Sequence, residues 1–472
     1  MKTIKHTAII STILSTVLAV SCSDQSKDDK VTSPVPDILT STGTADSTCA
    51  ADASWVNNPS LPTTIPDNGA TLCDFYQFSW QSFLYLMSPN DDNPSIRNFE
   101  NLTEYPIFNF GTTCTDPAAA PQLFLRVVKG DNDDVEFHIP QGTGQAGGGA
   151  TIYDQAGNVV YYSVSVNQAM CEKATSSSPN SGSLPDDTLE MKFAWRVIDA
   201  SEATDFVTMD AVIGDDTGAT TLGLIGMHLV QATPSHPEMV WSSFEHTNNA
   251  PNCLDAVTGP ADGWDFTSAT CTDCLQNPTD ACLTSCNFNV AKNNQTPLTG
   301  PPTEICRLFP EGTDINNANN NGQKNSDGTT NNNGQENIDD VNSLNTQIVG
   351  PGGLVSNLGP DNPLSVIQNY MHIGAIWVTD INIGASDASG NPIYSNQRGS
   401  LQLENPVAET VFQGALSLNA SGELAAASAP ADQNALNCFT CHTYTGPDDT
   451  ISTNLSHAYS SIIPSSSTDS NQ

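Results

Sequence analysis

Close to the C-terminal end, Cys438, Phe439, Thr440, Cys441 and His442 spell Cys-x-x-Cys-His. Two thiols three positions apart can each add to one vinyl group of the same haem, and an imidazole directly after the second thiol is then held beneath the iron. The spacing points to one covalently attached haem c, with Cys438 and Cys441 as attachment residues and His442 as proximal iron ligand. Only thirty residues follow His442 in a chain of 472. That tail is too short to wrap a macrocycle, so elements laid down far earlier must supply the cover and position the motif.

The chain has eight histidines, and His6 lies in the expected leader. His457, in Leu455-Ser456-His457-Ala458-Tyr459, is the first candidate for the distal ligand, because the loop after His442 can pass round the ring edge and return. His246 and His228 are runners-up, followed by His372, His138, Met371 and Met227. A plainer reading stands beside each: His457 as a surface residue on a short terminal helix, and the strand histidines as hydrogen-bonded core residues. Glu245 next to His246 is a candidate for acid–base work, yet neighbours on a strand point to opposite faces, which separates the two. Propionates attract the guanidinium fork, and Arg126, Arg196 and Arg307 lie beside apolar segments. Lys192 and Arg196 share strand parity and hence a face. No phosphate-binding glycine loop, nucleophile elbow or dinucleotide fingerprint is present.

The first residues bear on the compartment. Lys2 and Lys5 precede an apolar and hydroxyl run from Ala8 to Val20, the pattern of a signal peptide over residues 1–21. Ala19-Val20-Ser21-Cys22 resembles the lipobox of bacterial lipoproteins, which implies acylation of Cys22 and a lipid anchor, and Ser23 after it resembles the outer-membrane signal. The expected location is the cell envelope, as an outer-membrane lipoprotein facing the periplasm or the cell surface. Fifty-two acidic residues against fourteen basic ones give a formal net charge of −38. Such a surface repels phosphate backbones, which excludes nucleic acid, and would attract a basic redox partner protein or cations, although acidity that simply keeps an exported protein soluble is the plainer reading.

Setting aside Cys22, Cys438 and Cys441 leaves ten of the thirteen cysteines. In an oxidising compartment an even number reads as up to five disulfides, with the connectivity open. Cys271-x-x-Cys274 followed by Cys282-x-x-x-Cys286 has spacing that suggests zinc in a cytosolic protein; outside the cytoplasm disulfides are favoured, since oxidation removes the thiolates a metal needs.

The pattern along the chain gives a fold class that is mainly β, an antiparallel sandwich or open barrel, with added helices, disulfide-pinned loops and a short C-terminal haem-attachment segment. Residues 22–66 read as a lipid-anchored flexible tether, 67–400 as a β-rich domain, and 401–472 as the C-terminal segment packed on it. Within the middle unit, Cys73 to Met87 has apolar residues three and four apart and reads as a helix ended at Pro89. Gln122–Val128, Val135–Ile139, Val159–Val166, Leu189–Ile198, Leu222–Gln231, Met239–His246 and His372–Ile383 read as strands, and Asp154–Asn158 as a hairpin turn. Residues 313–345 read as a disordered-like Asn-rich loop, in which Asn317, Asn319 and Asn321 mimic calcium-ligand spacing without the carboxylates. Asn405, Pro406 and Glu409 predict a helix running to about Leu416.

The terminal motif resembles that of c-type cytochromes. Together with Trp80-x-x-Phe83, Ala194-Trp195-Arg196, Gly223 to His228 and Trp241 to His246, it resembles large bacterial lipoproteins described as cytochrome c family proteins, a likeness that implies one covalent haem and no assigned substrate. A haem motif after β structure also resembles a cytochrome group whose members oxidise hydroxylamine or bind nitric oxide. Two functions are expected from this: an exported, lipid-anchored monohaem c-type cytochrome that carries electrons in the envelope, or a haem enzyme or gas-binding protein with an open sixth coordination site. Whether the chain is an enzyme stays open between them.

Overall fold

The computed structural model describes residues 49–108, 114–115, 122–123, 125–129, 136–140, 151–180, 182–213, 218–254, 259–260, 263–290, 299–309, 311–312, 335–390, 392–409, 416–426, 437–446 and 455–464. The signal peptide, Cys22, most of the tether, the Asn317 loop, and the side chains of Arg126, His138, Cys441 and His457 lie outside the described residues.

Thirteen strands are described: β1 (Ile107–Phe108), β2 (Gln122–Leu123), β3 (Leu125–Lys129), β4 (Glu136–Pro140), β5 (Tyr161–Val166), β6 (Leu189–Val197), β7 (Thr208–Ile213), β8 (Ala219–Thr233), β9 (His236–His246), β10 (Tyr370–Val378), β11 (Gln397–Gly399), β12 (Leu416–Leu418) and β13 (Leu424–Ala426). The α-helices are α1 (Ser54–Asn57), α2 (Leu72–Met87), α3 (Gln168–Ala174), α4 (Ala269–Gln276), α5 (Asp280–Cys286), α6 (Gln335–Ile348), α7 (Cys438–Cys441) and α8 (His457–Ile462). Nine strands form one sheet in the order β1-β5-β6-β8-β9-β10-β11, with β7 on β8 and β2 on β7. All its pairings are antiparallel except β2 with β7. The fold is therefore mainly β with added helices and disulfide-pinned loops, as the sequence pattern requires, and the sheet is open.

The two faces of the sheet are covered differently. On one, Met191, Phe193, Trp195, Met227, Leu229, Phe244, Ala375 and Trp377 meet α2 and α6. Helix α2 forms because its wide aromatic face has somewhere to go and because Thr71 caps it: the Thr71 hydroxyl accepts from the Asp74 N–H at 3.4 Å while the Asp74 carboxylate accepts from the Thr71 N–H at 2.7 Å. Phe83 stacks on Phe244 at 4.0 Å and Phe75 on Trp377 at 3.8 Å. On the other face, Val166, Val230, Trp241, Ile373, Ile376 and Val378 form a second core with Leu401, Leu403, Phe439, Tyr444, Leu455, Tyr459 and Ile462, all from the C-terminal segment.

Several expectations change in detail. Residues 335–345 are not loop but the first part of α6, because Val341, Leu344 and Ile348 recur at helical spacing among the polar residues and bury against α2. Residues 49–66 are packed rather than free: Cys49, Trp55, Val56 and Ile65 are buried, and Gln347 of α6 donates to the Cys49 carbonyl at 2.7 Å. Of the helix expected from Asn405 to Leu416, the described residues 405–409 form a turn in which Ala408 and Glu409 donate to the Asn405 carbonyl, 410–415 lie outside the described residues, and Leu416 belongs to β12. Strand β7 has no counterpart among the expected strands, and β10 starts at Tyr370 and stops at Val378. The Asp154–Asn158 turn forms as read, with Gly157 at φ 82°.

Five disulfides use all ten of the cysteines set aside for them: Cys49–Cys73, Cys114–Cys171, Cys253–Cys306, Cys271–Cys286 and Cys274–Cys282, with Cα separations from 4.9 to 5.8 Å. The last two lie one inside the other between α4 and α5, so the zinc-like spacing is that of a stapled helical hairpin. Cys49, Cys73 and Asp340 also converge, but the two sulfurs are bonded to each other and are not available as thiolates.

Gly226 in β8 is the point where the 401–409 segment comes down onto the sheet. A Cβ there would stand 2.9 Å from Asn405 Nδ2 and 3.0 Å from Val407 Cγ2. Gly226→Ala is expected to cost about 1–3 kcal/mol by overpacking, read as a lower urea midpoint; an unchanged midpoint would show that the segment is not held there.

Candidate functional site

Helix α7 is one turn, and the His442 N–H donates to the Cys438 carbonyl at 2.8 Å, extending it. Residues 438, 441 and 442 thus stand at i, i+3 and i+4 and share a helix face. The turn is started by Asn437, whose Oδ1 accepts from the Phe439 N–H at 3.0 Å while its Nδ2 donates to Gln397 Oε1 and the Leu401 carbonyl. It is fixed from the other end by Tyr444, whose carbonyl accepts from the Ala385 and Ser386 N–H groups, both at 2.8 Å, and whose hydroxyl donates to the Ile381 carbonyl. Gly384, at φ 82°, permits that approach, since a Cβ there would stand 2.6 Å from the Thr445 carbonyl carbon.

His442 is buried against Trp241 of β9, with ring centroids 4.3 Å apart. Its Nδ1 lies 3.1 Å from the Leu455 carbonyl, an acceptor only, so Nδ1 carries the proton and the lone pair is on Nε2. A histidine ligand held by a backbone carbonyl through one nitrogen presents the other to a metal. The tail is sewn to the sheet next to it: Ser456 Oγ donates to Glu190 of β6, and Tyr459 donates to the Pro179 carbonyl.

Among the described residues, Cys438 is the cysteine that is not in a disulfide. Burial pushes its thiol up, and the negative charge of Glu409 adds to this; Lys192 opposes both, and Glu404 acts in the same sense as Glu409. Lys192 projects from β6 with its ammonium 3.2 Å from Glu190. His228 of β8 pairs with Lys192 in register and places Nε2 3.1 Å from Glu409 Oε1. Asn405 holds this layer down, donating to Ser243 Oγ and the Phe244 carbonyl, and its own N–H donates to Glu409 at 2.8 Å. The motif, His228, Lys192 and two glutamates thus gather on the face opposite α2.

The other candidates are distributed elsewhere. His246 has both ring nitrogens in backbone contacts, Nε2 to the Asp205 carbonyl at 3.0 Å and Nδ1 to the Asn248 N–H at 3.2 Å, and stacks on Phe206. Burial lowers its pKa to about 4. It is a neutral part of the fold rather than a residue of the site. His372 and Met227 face α2, with His372 stacked 4.6 Å from Phe244 and lowered to about 3 by burial. Glu245 lies on the opposite side of β9 from His246, as strand alternation requires, and ion-pairs with Arg307 at 2.6 Å. Arg196 is held by Asp154, Glu202 and Asp265, so neither arginine stands beside His442 as a spare cation. Glu404 and the Leu455 carbonyl were not singled out by sequence reasoning, Trp241 was named only within the apolar run ending at His246, and Glu409 only as part of an expected helix start.

Asp265 gives a separate test of the electrostatics. Burial raises its pKa from 3.8 to about 7, with Arg196 opposing and Glu202 and Asp154 adding to the rise. Between those values the native state binds more protons than the unfolded chain, so stability falls as pH rises through the window and is flat outside it. Wild type is expected to lose stability relative to Asp265→Asn from pH 4 to pH 7, by about 4 kcal/mol at most at ~1.4 kcal/mol per unit. Parallel melting curves for the two across that range would refute this.

No family model, no curated protein and no solved structure matches this chain. The donor set therefore stands on its own chemistry. An unpaired thiol at Cys438, a one-turn spacing to residue 441 and an imidazole with its lone pair on Nε2 are what a haem held through two thioethers and one axial nitrogen needs, and the residues fit that group.

Proposed function

We propose that the protein is an exported, lipid-anchored monohaem c-type cytochrome that carries electrons in the cell envelope. The observation that carries this reading is the segregation of the cysteines: ten are consumed by disulfides, while Cys438 is left as a thiol on the turn that ends in His442. Five disulfides also support an oxidising compartment, where thioether attachment takes place. When bound, a haem supplies a one-electron ferric–ferrous couple.

The chain's own part is to hold and to screen. Cys438 and Cys441 are the attachment thiols and His442 the proximal ligand, its ring fixed by Leu455 and Trp241. The second core, from Val230 to Ile462, keeps water from that ring. His228 stands on the same face as Trp241 and is the described distal candidate nearest in register to the site, and His457 remains a proposed ligand. Cys22 is the proposed lipid anchor, at the outer membrane facing periplasm or surface, and the acidic surface suits a basic redox partner. Among the described residues no helix is long and apolar enough to cross a membrane.

The test is a pyridine haemochrome spectrum and intact mass of the protein purified from the envelope, followed by addition of carbon monoxide or cyanide. One covalent haem that resists both ligands supports an electron carrier. Rapid ligand binding would instead support the haem enzyme or gas-binding reading, and no covalent haem would refute both. His457→Ala is expected to turn a low-spin spectrum high-spin; an unchanged spectrum assigns the distal position elsewhere, with His228→Ala the next variant.

A further inference from the structure

The carbonyl that meets His442 belongs to the C-terminal tail, which is tied to the rest of the fold at several points. The Cys114 N–H donates to the Ile462 carbonyl at 3.2 Å, and the Tyr459 hydroxyl donates to the Pro179 carbonyl at 2.9 Å. Both of these hold α8 itself. A further tie, from Ser456 Oγ to Glu190 Oε2, stands one residue from Leu455. The same hydroxyl oxygen accepts from the Tyr459 N–H at 3.1 Å, so Ser456 both caps α8 and fastens its start to the sheet.

Glu190 is a costly residue to place there. It is fully buried on an inner strand, with β6 paired to β5 at Val166 and to β8 at Val230. A carboxylate taken out of water is disfavoured unless its oxygens are answered; here Oε2 takes the Ser456 hydroxyl and Oε1 lies 3.2 Å from the Lys192 ammonium. Well-packed apolar residues of similar volume would hold the sheet as well. What the polar pair adds is direction, since it aims an acceptor on a rigid strand at the residue next to the carbonyl that orients His442. Contacts thus run without a gap from the sheet to the ring: Lys192 to Glu190, Glu190 to Ser456, the Leu455–Ser456 peptide, and the Leu455 carbonyl to His442 Nδ1 at 3.1 Å.

We propose that Glu190 is a positioning residue for the proximal imidazole, which through Ser456 holds the Leu455 carbonyl on His442 Nδ1 and so lowers the midpoint potential of the site. This rests on the reading of the chain as a haem-bearing electron carrier with His442 as the iron ligand. A carbonyl kept on the Nδ1 proton makes Nε2 the more basic donor, and a more basic axial donor favours the ferric state. Once the peptide is released from Glu190, the carbonyl drifts from the ring and that preference weakens. Hydrogen-bond partners of a metal-ligating histidine are worth about tenfold or more.

The experiment is a potentiometric titration of the purified exported protein and four variants. Ser456→Ala, which leaves the Glu190–Lys192 pair in place, and Glu190→Leu are expected to raise the midpoint potential by about 59 mV or more, the one-electron equivalent of tenfold. Ser456→Thr returns a hydroxyl and is expected to restore the native value. Tyr459→Phe cuts another side-chain tie of the same tail, and is expected to lower the urea midpoint while leaving the potential unchanged. The His442 Nδ1 proton, followed by NMR, is expected to exchange with solvent faster in Ser456→Ala and Glu190→Leu than in the native protein. Where Glu190→Leu fails to fold, the Ser456 pair of variants decides. An unmoved potential in Ser456→Ala, or a shift of the same size in Tyr459→Phe, overturns the proposal and leaves the cytochrome reading intact. Absence of covalent haem overturns that reading, and this proposal with it.

Discussion

Replacing Cys438 and Cys441 together with alanine is expected to take the protein from one acid-stable haem per chain to none, while the sheet and its five disulfides persist. In the proposed reading the two thiols make the covalent attachment, and they lie on a one-turn helix whose attachment to the fold is made by Asn437, Phe439, Ser386 and Tyr444. Removing the sulfurs leaves those contacts alone. His442→Ala is expected to behave differently: haem stays bonded, but the spectrum of a histidine-ligated iron is lost, and the hydrogen bond to the Leu455 carbonyl goes with it. Acid–acetone extraction separates the cases, since it strips haem that is not covalently held. Haem retained by the double alanine variant through that extraction would sink the attachment assignment.

The second large effect concerns the fold. Cys253→Ser with Cys306→Ser is expected to destabilise the protein by about 4 kcal/mol, from the loop-closure entropy of the 53 residues the bond spans. Cys306 adjoins Arg307, whose guanidinium reaches Glu245 of β9 and Asn252, so this bond also fixes a cation that neutralises the buried Glu245 carboxylate. Burial raises the pKa of Glu245 and Arg307 opposes the rise, which makes that pairing worth keeping. Urea unfolding of the double variant measures the loss, and a change below 1 kcal/mol would mean that the loop is held by its packing on the sheet rather than by the covalent closure.

Much of this architecture could be read along the chain. Alternating and continuous apolar runs located β5, β6, β8 and β9 within three residues at either end, because a buried strand writes its apolar content into its own residues. Helix α2 was legible from apolar residues three and four apart and from Pro89 after it, while its Thr71 cap came from the structure. The failures share a cause. Helix α6 was hidden because only three apolar residues carry its buried face, and their value depends on the presence of α2. Residues 405–409 were read as the start of a helix because Asn405 and Glu409 do make a capping turn, but the layer is buried, and the Leu401 and Val407 carbonyls are satisfied by Asn437 and Tyr162 instead of by a helix.

By itself the sequence determined that two cysteines precede a histidine at Cys-x-x-Cys-His spacing and that the remaining cysteines, Cys22 apart, are ten, an even number. Spacing is a local property, and local properties are written in order along the chain. Which sulfurs pair, that Trp241 lies against His442, that His246 is locked into backbone contacts with Asp205 and Asn248, and that Glu404 is buried without a hydrogen-bond partner among the described residues were decided only when the chain folded. Burial and proximity are properties of pairs distant in sequence, and no single segment encodes them.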